Sequence, residues 1–201
     1  MSETDEPLAR RASNTDEPLA RRASNTAVLV IDMMNTYAHS DAEKLTGNVE
    51  KIIDPLARLV GEAQRRDEVD LIYVNDNYGD FTATHHDLVR SALDGQRPDL
   101  VKPIVPPPGC RFLTKVRHSA FYSTALEYLL GSLDTERVIL TGQVTEQCIL
   151  YTALDAYLRH FSVTVASDAV AHIDPELRDA ALTMMQRNMS AEIVEADAGL
   201  R

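Results

Sequence analysis

Residues 136–150 read Glu-Arg-Val-Ile-Leu-Thr-Gly-Gln-Val-Thr-Glu-Gln-Cys-Ile-Leu. Val138 to Thr141 is a short apolar run of the kind that forms a strand covered on both faces. Gly142 supplies a tight turn, and Glu146 to His160 has the composition of a helix. A strand, a turn and a helix opening place Cys148 in the first helical turn, at the carboxyl end of a strand. Helix dipole and free backbone N–H groups favour an anion there, so the thiol is expected to have a lowered pKa and to serve as a nucleophile. The competing reading is a small buried hydrophobe.

The same punctuation recurs in both directions. Ala27-Val28-Leu29-Val30-Ile31 is wholly apolar and reads as the first strand. Val49 to Arg66 carries Ile52, Ile53, Leu56, Leu59, Val60 and Ala63 near helical spacing. Val69 to Val74 is a second strand and Thr84 to Leu93 a helix. Pro103 to Gly109 is irregular. Phe112 to Val116 forms a third strand, and Thr124 to Leu133 a helix. Ser162 to Ala166 is the fifth strand. Asp174 caps a helix from Pro175 to Asn188, with proline at its first position. Ala191 to Val194 is the sixth strand. Alternating strands and helices imply a three-layer α/β/α domain over residues 27–201 with a parallel sheet.

Residues 1–26 form an extension with a duplicated 11-residue segment. Thr4 to Asn14 reads TDEPLARRASN, and Thr15 to Asn25 repeats it. Two copies are too few for a solenoid. Arg-Arg-Ala-Ser resembles a basophilic kinase site, a weak four-residue match. The twin arginines are followed by no adequate apolar segment for export.

Composition narrows the function. The chain has 201 residues, 44% of them hydrophobic and 25% charged, as in ordinary globular domains. A formal charge of −11 argues against nucleic acid and anionic membranes as partners. Two cysteines, Cys110 and Cys148, make no disulfide framework, which suits the cytoplasm. Cys110 follows three prolines and a glycine and reads as structural.

Ligands of open parallel sheets bind beyond the carboxyl strand ends. Asp32 ends the first strand, Lys115 the third, and Cys148 follows the fourth. Lys115 is one of four lysines and is the one that falls in an expected inner strand, where an ammonium needs a partner. Asp32 is the candidate.

Three segments carry a family resemblance: Val28-Leu29-Val30-Ile31-Asp32-Met33, Thr114 to Phe121, and Thr141-Gly142-Gln143-Val144-Thr145-Glu146-Gln147-Cys148-Ile149. Taken together they resemble the isochorismatase-like cysteine hydrolase superfamily, over about residues 27–195. The resemblance implies six parallel strands in the order 3-2-1-4-5-6, and a triad of Asp32, Lys115 and Cys148. It also implies a cis peptide between Val144 and Thr145. Asp32 is then the general base, Lys115 the stabilising cation and Cys148 the nucleophile. Backbone N–H groups of Thr145 and Cys148 receive the oxyanion.

The chain departs from familiar members in two places. Met34-Asn35-Thr36-Tyr37 replaces a Gln-Asn-Asp-Phe sequence, leaving Tyr37 as an aromatic wall. After the second strand, Asp76 lacks the following histidine of metal-binding relatives. A set of Asp76, Asp80, His85 and His86 fits no metal signature, so no metal and no cofactor is expected. Asn77, Tyr78, His118, Phe121 and Tyr122 are candidate substrate contacts, and His39 is ambiguous. The substrate is a small molecule. Apolar helices and the resemblance point to a homo-oligomer, a dimer or tetramer. An amide or related C–N bond is the first expectation, because isochorismate-type vinyl-ether cleavage needs no thiol nucleophile. A catalytically silent binding or assembly module is the alternative from another class.

Overall fold

The computed structural model describes residues 25–201. The duplicated segment, the kinase-like motif and the twin arginines lie almost wholly outside them. Strands β1 (Thr26–Ile31), β2 (Val69–Asp76), β3 (Arg111–Lys115), β4 (Arg137–Gln143), β5 (Ser162–Ala171) and β6 (Glu192–Val194) form one sheet. Its order is β3-β2-β1-β4-β5-β6, and all pairs are parallel. This is the expected fold and strand order.

The reason for the apolar runs is visible in β1. Val28 and Val30 face one core with α1 (Ala42–Arg65), while Ala27, Leu29 and Ile31 face the other. Each side chain is removed from water on both faces, which stabilises by about 1.5–3 kcal/mol for a Val, Leu or Ile. The second core is closed by α4 (Leu126–Ser132), α5 (Leu150–Leu158) and α6 (Pro175–Asn188). Two further helices, α2 (His85–Leu93) and α3 (Pro98–Val101), lie beyond β2 in the chain, and α7 (Ala196–Gly199) ends it. Among the described residues no helix is long and apolar enough to cross a membrane.

Several elements differ from their expected bounds. Helix α1 begins at Ala42, seven residues early, because Leu45 and Thr46 continue its buried stripe one turn upstream. Thr84 is not helical. It caps α2 in a reciprocal box with Asp87. Strand β5 runs five residues past Ala166, through a register shift against β4 at Leu140/Gly142. The segment after β4 is also not a plain helix. Thr145–Ile149 forms one turn of π-helix before α5 begins at Leu150. Such turns frequently occur at functional sites.

Candidate active site

Strands β1 and β4 are neighbours at the centre of the sheet, and the connections that follow them run to opposite sides. That topological switch point opens a crevice at their carboxyl ends. Gly142 lets the two strands approach there. A Cβ on it would lie 2.1 Å from the Ile31 carbonyl oxygen, and its φ is +105°. Only glycine accepts both conditions.

Asp32 follows β1 with φ at +56°, a region sparsely used by residues other than glycine. Its surroundings hold it there. Its N–H donates to Val74 O at 3.0 Å, and its carbonyl accepts from Gln143 Nε2 at 2.7 Å. Asp76 N donates to Oδ1 at 2.8 Å, which leaves Oδ2 for Lys115 Nζ, also at 2.8 Å.

Lys115 was expected in an inner strand, but β3 is the edge strand. Its side chain is nevertheless fully buried, because it turns inward across the end of β2. Nζ lies 3.5 Å from Asp76 Oδ2 and 3.6 Å from Cys148 Sγ. The structure thus brings Asp32, Lys115 and Cys148 together, and adds Asp76 as a second carboxylate on the same ammonium.

The electrostatics of this group correct one expectation. Cys148 does not have a lowered pKa in the resting protein. Burial pushes the thiol well above its ordinary range, and the adjacent Asp32 charge pushes it further, against the pull of Lys115. Burial also raises Asp32, with Lys115 opposing. For Lys115, burial favours loss of the proton, but Asp32, Cys148 and Asp76 together outweigh it and hold the ammonium charged. Burial thus favours the protonated thiol at Cys148, beside a lysine that its acidic neighbours hold charged.

The cis peptide is placed one residue earlier than expected, between Gln143 and Val144. Gln143 is the last residue of β4, pairing with Ala171. Thr145 is already inside the π turn, with its hydroxyl bonded to Ala171 O at 2.9 Å. The Val144 backbone lies within hydrogen-bonding reach of the Cys148 thiol and opposes the upward push on it. Glu146, in the same turn, accepts from Ile173 N and Asp174 N at 2.9 Å each, tying the turn to the loop before α6.

A cleft of about 360 Å³ opens over Cys148 and Asp32. Of the expected contacts, Tyr78 and His118 line it. Tyr37, Asn77, Phe121 and Tyr122 do not. Tyr37 is buried beneath the cleft with its hydroxyl 3.5 Å from Gln143 Oε1. Asn77 fixes the turn after β2 by accepting from Gly79 N. Phe121 packs in the second core against Phe161, under the Arg159 guanidinium. Tyr122 is exposed away from the cleft wall. Sequence reading missed Asn35, Asp41, Gln147 and Ile173 as wall residues, and left His39 undecided. No periodic signal marks them, since loop packing puts them there. Asp76, Asp80, His85 and His86 do not assemble. Asp76 turns to Lys115, while His85 packs on His86 and Phe112. Among the described residues no three potential metal ligands converge. Cys110 is half-buried, near Leu71 O and Arg111 O at 3.5 Å, and burial pushes its thiol up to about 11.

A doubly wound sheet with these polar groups clustered at its switch point defines the class, a three-layer α/β hydrolase. The Isochorismatase domain family model matches residues 26–198, and the chain belongs to that family. The isochorismatase family protein YaaI of Bacillus subtilis (strain 168) is 37% identical over 167 residues, which are 83% of this chain and 92% of YaaI. An isochorismatase-like hydrolase from Alkaliphilus metalliredigens superposes with a TM-score of 0.71 at 25% identity, covering 87% of this chain and 96% of the other. N-carbamoylsarcosine amidase from Thermoplasma acidophilum gives 0.66 at 29% identity, covering 86% and 97%.

Proposed function

We propose that the protein hydrolyses a small-molecule amide or related C–N bond through a thioester on Cys148. The observation that carries this reading is the contact of Lys115 Nζ with both Asp32 and Cys148 at the cleft floor. The likeness to an amidase of known structure supports the bond type.

Asp32 takes the proton from Cys148 Sγ as attack begins. Because burial raises Asp32, its carboxylate is a stronger base than an exposed one. The thiolate attacks the carbonyl carbon, a C–S bond forms, and the carbonyl electron pair moves to oxygen. We assign the Val144 and Cys148 N–H groups, at the turn after β4, as the donors to that oxygen. Each such donor is typically worth about 3–4 kcal/mol. Collapse breaks the C–N bond, and Asp32 returns its proton to the leaving nitrogen. Asp32 then takes a proton from water, hydroxide attacks the thioester, the C–S bond breaks to give the carboxylic acid, and Asp32 returns its proton to the departing Cys148 sulfur. Lys115 remains protonated throughout, offsetting the charge that passes between Asp32 and sulfur.

The test is a panel of small amides and isochorismate, read as ammonia and pyruvate release. Cys148→Ala is expected to abolish ammonia release while keeping the wild-type circular dichroism. Full activity in that variant would remove the covalent step, and pyruvate release that survives it would favour vinyl-ether cleavage.

A further inference from the structure

The charges around the cleft define which substrates it accepts. Three carboxylates line it: Asp32, Asp76 and Asp41. One ammonium, Lys115, stands behind them and is shared by Asp32 and Asp76. Three carboxylates against one ammonium leave the cleft with an excess of negative charge, carried by Asp41 and by the Asp32–Asp76 pair that shares Lys115. The remaining ionisable groups in the wall are His39, His118 and the Tyr78 phenol, and no arginine belongs to it. Arg117 is exposed and not part of the wall. Carboxylate recognition is normally built from an arginine fork or a free lysine. The described residues of this cleft offer neither.

We infer that the cleft selects by charge, favouring a small amide with a cationic tail over a neutral one and discriminating against a carboxylate-bearing one. The inference rests on the amide reading for its substrate and on the cleft wall for its sign. Asp76, at the floor, and Asp41, at the mouth, supply the attraction. Asp41 precedes α1 but makes no side-chain capping bond, so its carboxylate is free to face solvent and ligand.

Two independent measurements test this, both at about pH 8, where imidazoles as a class are neutral. The first uses the Cys110→Ser protein and times the modification of Cys148 by cationic, neutral and anionic methanethiosulfonates of matched size. Rates are normalised to a free thiol. Clefts lined by one sign of charge change encounter rates by about tenfold or more. The cationic reagent is therefore expected to lead the anionic one by at least about tenfold. The lead should shrink in about 1 M salt, where screening reaches about 3 Å, and in Asp41→Asn. The second compares kcat/KM on amides of matched size with ammonium, neutral and carboxylate tails, and the same order is expected. Equal or reversed thiol rates overturn the inference whatever the amides do. The expected thiol rates with no amide turned over sustain the charge selection and refute the amidase reading instead. A carboxylate amide turned over as fast as its ammonium counterpart also overturns the inference.

Discussion

Replacing Lys115 by methionine removes a cation while keeping an unbranched side chain. In the structure its Nζ lies 2.8 Å from Asp32 Oδ2 and 3.5 Å from Asp76 Oδ2. At an effective dielectric of about 20, the nearer pair alone is worth about 6 kcal/mol of Coulomb attraction. Desolvation of both ions offsets part of this, and removing one partner of a buried pair typically costs about 3–5 kcal/mol. The penalty comes from leaving Asp32 charged and alone, so it depends on pH. Burial already holds the Asp32 carboxyl above its ordinary range against the pull of Lys115. Without the lysine it rises further. A folded pKa above the unfolded one makes the folded state the better proton binder, so stability falls as pH climbs from about 4 towards the raised value. Urea denaturation at fixed protein concentration should therefore show a deficit of about 3–5 kcal/mol at pH 8 that narrows by at least about 1 kcal/mol at pH 5. Lys115's own ionisation lies above this window, since its folded pKa is raised. Adding Asp32→Asn to Lys115→Met should recover stability at pH 8. A deficit independent of pH, or a double variant no more stable than the single one, would refute the claim that this lysine exists to compensate Asp32.

Asp32→Asn alone should separate two roles. It removes a negative charge that pushes the thiol up, so iodoacetamide alkylation of Cys148 near pH 8 should quicken by at least about threefold. Hydrolysis should fall by about 10²- to 10⁴-fold, because no group remains to carry the proton to the leaving nitrogen. A parallel fall in both rates would contradict this. Gly142→Ala should clash with Ile31 O and strain the backbone, costing about 2–6 kcal/mol. A melting temperature within about 2 °C of wild type would show that β1 and β4 can part at no penalty.

The legible parts of the sequence are those decided by period and punctuation. The run Ala27–Ile31 and its counterpart at Val138–Thr141 announce strands buried on both faces, and parallel α/β topology then brings their ends together. Asp32 and Cys148 follow from that without any knowledge of side-chain geometry. Lys115 is legible for the same reason, although its burial comes from crossing a neighbouring strand rather than from an inner position. What period does not encode is the cleft wall. Asp41 and Ile173 belong to loops 132 residues apart, and they share a cleft because α1 and the segment after β5 pack around the same strand ends. The misplaced cis bond has a similar origin. Sequence marks a turn after Gly142 but not which of its peptides is cis.

The choice of lysine at position 115 follows from the spacing of the sheet. Asp32 directly follows β1 and Lys115 ends β3, with β2 between them. Two interstrand steps amount to about 10 Å. A short acid on one side and a four-carbon ammonium on the other can span that distance, passing over Asp76 at the end of β2, whose register partner is Lys115. A histidine on β3 would fall short. An arginine would bring a planar fork whose several donors need more acceptors than two carboxylates and a thiol provide in a buried floor. The ammonium has three polar neighbours, Asp32, Asp76 and Cys148. A buried cation surrounded by two carboxylates and a sulfur is compensated for its burial. It is also close enough to sulfur to follow the negative charge as it leaves Asp32. The same geometry that lets the fold tolerate Lys115 is therefore the geometry that the proposed reaction uses.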